Sequence, residues 1–97
     1  MQGVKAIVID KEDNVATAIT DLKEGDTILV GTGDSKSSIV LTKNIPYGHK
    51  IALRDIKKGE TIVKYGEVIG RAMSNIGKGE HVHVHNVEGL KGRGDRQ

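Results

Sequence analysis

Apolar residues along the chain fall into short runs separated by polar breaks that contain glycine. The runs tend to alternate with period two, and none sustains the 3.6-residue stripe of an amphipathic helix. The pattern predicts strands over residues 4–9, 15–19, 27–30, 39–42, 49–53, 61–64, 68–73 and 81–87, with any helix limited to a single turn. Residues 31–38, rich in glycine and serine, read as the one long loop, a mobile hairpin tip.

Three segments, 18–28, 52–62 and 72–82, lie over one another: small, apolar, polar, Asp or Asn, aliphatic, two residues, Gly, acid, polar, aliphatic. Asp21, Asp55 and Asn75 can bond backbone N–H groups ahead of them and open a tight turn. Leu22, Ile56 and Ile76 would pin each turn to the core, and Gly25, Gly59 and Gly79 can take the positive φ that returns the chain to a strand. The unequal spacing of the copies excludes a solenoid. One β fold that uses the same corner three times is the expectation.

Composition supports an all-β class. Ile and Val make up well over half of the hydrophobic residues, and β-branched side chains fit a pleated, half-buried surface. A length of 97 residues allows one domain, assigned to residues 1–88, with 89–97 as a flexible, basic, glycine-rich tail or linker. The absence of cysteine excludes disulfide scaffolds and thiolate sites. No apolar run resembles a signal peptide or a membrane span, so a cytoplasmic protein with no membrane partner is expected. Two Tyr and no Phe or Trp leave little to stack on bases, and a net charge of +2 from interleaved Lys and Glu creates no one-sign field. Nucleic acid is therefore not an expected partner.

Three clusters could carry chemistry. On a straight strand, His81, His83 and His85 share a face, with neighbouring Cβ atoms about 6.5–7 Å apart and the outer pair about 13 Å apart. Adjacent imidazoles at that spacing can chelate a divalent metal, although the same pattern describes a solvent-facing strand with Val82 and Val84 inward. Pro46 and Gly48 form a turn that delivers His49 and Lys50 to the start of a strand, a pair suited to an anion. In the third cluster Lys64 and Arg71 could clamp a carboxylate around Tyr65, Gly66 and Gly70. Each of the last two clusters, standing alone, also reads as an ordinary surface turn or hairpin. Gly31-Thr32-Gly33 lacks the context of a dinucleotide loop.

Taken jointly, Asp13-Asn14-Val15-Ala16-Thr17-Ala18, Gly48-His49-Lys50-Ile51-Ala52-Leu53-Arg54-Asp55-Ile56, Lys64-Tyr65-Gly66 with Ile69-Gly70, and Gly79-Glu80-His81-Val82-His83-Val84-His85-Asn86 resemble a known family. The chain is similar to the N-terminal SAF-type domain, or small subunit, of altronate and galactarate dehydratases. The resemblance implies a β-clip fold, in which a long twisted hairpin folds back on itself. It also implies loss of water from a hexonic or hexaric acid to give a 2-keto-3-deoxy acid, with a divalent metal, Fe2+ or else Mn2+. On this reading His49, Lys50, Lys64 and Tyr65 are the catalytic candidates, and Lys50, Lys64, Arg71 and Asn86 bind the anionic sugar acid. His81, His83 and His85 are the metal candidates. The expected partner is a large catalytic subunit or domain, the chain being a free small subunit or a fragment that is inactive alone; a homo-oligomer is compatible with this. Two alternatives stand beside it: the small subunit of a sulfolactate sulfo-lyase, which expels sulfite, and a non-catalytic β-clip module binding metal or carbohydrate.

Overall fold

The β-branched runs become strands, and no helix is found among the described residues, which are 3–32 and 35–89 of this computed structural model. The elements are β1 (Val4–Ile7), β2 (Val15–Ala18), β3 (Thr27–Thr32), β4 (Ser35–Val40), β5 (Lys50–Ala52), β6 (Thr61–Lys64), β7 (Glu67–Ala72), β8 (His81–Val82) and β9 (Val87–Gly89). Six of them form one sheet in the order β4-β3-β1-β2-β5-β8, and β6-β7-β9 form a second. Neighbouring strands are antiparallel except β1 and β3.

The two-residue period of β2 and β5 divides the interior. Ala16, Ala18 and Ile51 face one cluster, with Leu22, Leu41 and Ile45. Val15 and Ala52 face another, with Ile56, Ile62, Ile76 and Val82. A one-residue slip in either strand would exchange these sets, so burial on both faces fixes the register.

The predicted corner occurs at its three places and at a fourth, centred on Ile45. The corners pair through isolated bridges, Leu22 with Ile45 and Ile56 with Ile76. At each, the N–H after the glycine donates to the carbonyl three residues back: Asp26 to Lys23, His49 to Pro46, Glu60 to Lys57 and Glu80 to Gly77. The glycines have φ between 85° and 92°, as the third residue of a type II turn requires. The Asx side chains then cap the turn of the partner corner. Asp21 accepts from the Tyr47 N–H and Asn44 from the Glu24 N–H, both at 2.8 Å. Asn75 accepts from Lys58 and Asp55 from Lys78, both at 2.9 Å.

Two expectations are corrected. Residues 31–38 are not one long loop, because β3 and β4 stay paired out to Thr32↔Ser35. A ladder of backbone bonds needs no apolar side chains to propagate, and β4 is exposed on most positions. The span 81–87 is not one strand either. It ends at Val82, turns through residues 83–86, and resumes as β9 in the other sheet. The expected tail lies outside the described residues apart from Gly89, which closes β9.

Candidate functional site

Asn86 explains why the histidine segment turns. Its Oδ1 accepts from the His83 N–H and its Nδ2 donates to the His81 carbonyl, both at 2.9 Å, while the Asn86 N–H donates to the His83 carbonyl at 3.0 Å. Buried amides of this kind stay paired, since an unpaired one costs about 1–3 kcal/mol. With both side-chain ends engaged, Asn86 holds the loop that carries the imidazoles.

The turn gathers rings that a straight strand would spread. His85 comes within 5.0 Å of His81 between ring centroids, against the expected separation along an extended chain. Pairing of β5 with β8, with Lys50 opposite Val82 and Ile51 opposite His81, brings in His49 from the neighbouring corner. His49 stacks on His83 at 3.8 Å between centroids, and its Nδ1 lies 2.8 Å from His81 Nε2. Ring nitrogens of His49, His81 and His83 all lie within 4.8 Å of one another. Two nitrogens on one ion at about 2.1 Å each lie at most about 4.2 Å apart, so a small inward shift of the rings would let them share one.

The electrostatics favour neutral rings at His81 and His83. Burial, followed by the charges of His85, His49, His83 and Lys50, pushes His81 down from 6.5 to about 4. Burial also lowers His83, with His49, Lys50 and His85 adding to it. Lys50 is lowered by burial and by the facing Lys64 ammonium. Neutral imidazole is the metal-ligating form, and the buried His83 Nδ1 has no hydrogen-bond partner. The donor set therefore fits a divalent ion of the imidazole-accepting kind. The Lys50 ammonium beside the rings, with Lys64 near it, suits an anion.

The remaining candidates divide. Lys64 stands over the Tyr65 ring at 4.8 Å, and Tyr65 has φ of 57°, rare for a residue with a Cβ. Both sit at the β6–β7 hairpin. Arg71 is exposed on β7, where its register neighbours are Thr61 and Glu88 rather than the imidazoles. The sequence reading placed Asp13 and Asn14 in the family resemblance but gave them no role at the site. Asn14 bonds the Thr61 carbonyl at 2.9 Å and the Val63 N–H at 2.8 Å, and Asp13 accepts from the Gly66 N–H at 2.8 Å, so the two grip the hairpin bearing Lys64. An Asx pair before an apolar run was the available signal.

Residues 4–90 match the family described as altronate/galactarate dehydratase SAF domain. The chain is 44% identical over 87 residues to an altronate dehydratase of Escherichia coli (strain K12), covering 90% of this chain and 16% of that protein. It is 38% identical over 78 residues to the galactarate dehydratase (L-threo-forming) of the same strain, covering 78% of this chain and 14% of that protein. Against the (2R)-sulfolactate sulfo-lyase subunit alpha of Chromohalobacter salexigens it is 39% identical over 89 residues, covering 89% of this chain and 95% of that subunit. The chain thus spans about a sixth of the length of the altronate dehydratase and nearly all of the sulfo-lyase subunit.

Proposed function

Because the chain belongs to the SAF-domain family of altronate and galactarate dehydratases, with their β-clip fold, we propose that it is the metal- and anion-holding part of a hydro-lyase acting on a sugar acid. Its relatives are lyases, and in the dehydratases the matching region is a small part of a larger protein. A large catalytic subunit or domain completes the site. The observation that carries this reading is three imidazole nitrogens within 4.8 Å beside a half-buried Lys50 that faces Lys64.

The reaction takes the proton from C2 of a 2,3-dihydroxy acid and breaks the C3–O bond, the hydroxide taking up a proton to leave as water; the resulting enol ketonises to the 2-keto-3-deoxy acid. Negative charge grows on the carboxylate as the proton leaves. Lys50 and Lys64 hold that carboxylate, and partial desolvation strengthens their hold. His49, His81 and His83 would hold Fe2+, or Mn2+ in its place, which when bound supplies Lewis-acid stabilisation of substrate oxygens. Tyr65, with its hydroxyl at the exposed hairpin, is placed to meet a substrate held by Lys64, and His85 at the rim can pass protons to solvent. Glu80 is engaged in its own corner, where Oε1 accepts the Gly77 N–H at 2.8 Å. The partner region supplies the base.

A second reading rests on the near-complete coverage of the sulfo-lyase subunit, and makes this chain the small subunit of an enzyme that breaks a C–S bond. Reconstitution with the large catalytic region of an altronate dehydratase, a galactarate dehydratase and a sulfo-lyase in turn, and assay of altronate, galactarate and sulfolactate with iron(II), decides between them. Water loss from a sugar acid supports the first reading, sulfite release the second. Binding of metal with no lyase activity in any pairing leaves a non-catalytic module.

A further inference from the structure

Pro46 stands where the other three corners carry a backbone N–H. In those corners the acid closing the turn caps the residue three places earlier. Asp26 Oδ2 accepts from the Lys23 N–H at 3.2 Å, Glu60 Oε1 from Lys57 at 2.6 Å, and Glu80 Oε1 from Gly77 at 2.8 Å. The fourth corner keeps the same backbone: Gly48 has φ of 85°, and the His49 N–H reaches the Pro46 carbonyl at 3.0 Å. It differs in having neither the donor, since proline has no N–H, nor the acid, since His49 takes that place.

We propose that Pro46 is a positioning residue for His49, removing the N–H that the side chain three residues on would otherwise cap and so releasing the ring toward His81 and His83. Nδ1 of a histidine and the Oδ of an aspartate are both bonded to Cγ, so an N–H at position 46 would compete for the atom that lies 2.8 Å from His81 Nε2. The preference of turns for proline does not account for Pro46. Type II turns favour proline at the second position, which here is Tyr47. The corner has exchanged its cap for a ligand side chain. The inference rests on the proposed metal site for its purpose, but its geometry is testable without metal.

The test uses Pro46→Ala, His49→Glu and the double variant of the metal-free chain. In Pro46→Ala the new amide at position 46 is expected to exchange slowly as a donor to His49 Nδ1, and NMR contacts between the His49 and His81 rings should disappear. Rings still in contact and an amide exchanging freely would overturn the proposal. A double-mutant cycle on the unfolding equilibrium adds a readout that a merely stiffening proline would not move. His49→Glu should be about fivefold more favourable in the Pro46→Ala background than in the parent, the equivalent of about 1 kcal/mol for one capping bond. Strict additivity counts against the proposal. Manganese(II) titration separates the two ideas. Binding about fivefold weaker in Pro46→Ala supports both; if the parent binds no manganese(II) or iron(II), the metal reading fails while the ring and cycle measurements still decide the role of Pro46.

Discussion

His81 loses its proton readily because burial and four neighbouring basic groups all disfavour the imidazolium. In the metal-free chain its ring should titrate near pH 4 by NMR, rather than at the ordinary 6.5. The consequence for stability has a definite sign. Between those two values the unfolded chain binds a proton that the folded chain refuses, so stability is complete above about 6.5 and declines as pH falls toward 4. A denaturation midpoint that rises on acidification through this window would contradict the assignment. For metal binding, His83→Ala is expected to weaken manganese(II) or iron(II) by at least about tenfold, and His85→Ala by less. The reason is that His83 stacks on His49 and offers a buried, unpartnered Nδ1, whereas His85 is exposed at the rim. Equal losses by calorimetry would show that the ligand set includes His85.

Two turns set the site at the scale of elements. The 83–86 turn depends on Asn86, and Asn86→Ala strands the His83 N–H and the His81 carbonyl. We expect about 1–3 kcal/mol of lost stability in urea denaturation, together with weaker metal binding. Retained binding at reduced stability would mean that β5–β8 pairing alone positions the rings. The β6–β7 hairpin carries the opposite case. Tyr65 and Gly66 have φ of 57° and 75°, the pattern of a type I′ turn that prefers Asn-Gly. Tyr65→Asn should therefore be neutral or stabilising by up to about 1 kcal/mol, while Tyr65→Phe keeps the backbone cost. A Tyr65→Asn variant that is less active but more stable would mark the tyrosine as kept for its ring or hydroxyl. Destabilisation by more than about 1 kcal/mol would show that the Lys64 contact outweighs the strain.

At the scale of the molecule, the imidazole cluster belongs to a small domain whose two apolar clusters are built from corners and strands, leaving Tyr47, Tyr65 and Val84 exposed near its candidate residues. A chain of this size has little interior to enclose a reacting substrate. The rigorously purified chain is expected to show no dehydration of altronate or galactarate, even when loaded with iron(II), and to gain activity only with the large region. Turnover by the single chain would overturn that division of labour.

The all-β class was legible in the β-branched runs and glycine breaks, because period-two burial and positive-φ turns are properties of short windows of sequence. Three corners were legible for the same reason, and the family resemblance joined segments that no single window connects. The fourth corner was read only as a turn at Pro46 and Gly48, because His49 stands where the others carry the closing acid. The metal candidates were read along one strand as His81, His83 and His85. The fold brings a ring nitrogen of His49 within 4.8 Å of those of His81 and His83, through pairing of β5 with β8 and a turn held by one buried amide. Local chemistry specifies which residues can bond, but which of them meet depends on strand register and on side chains far apart in the chain.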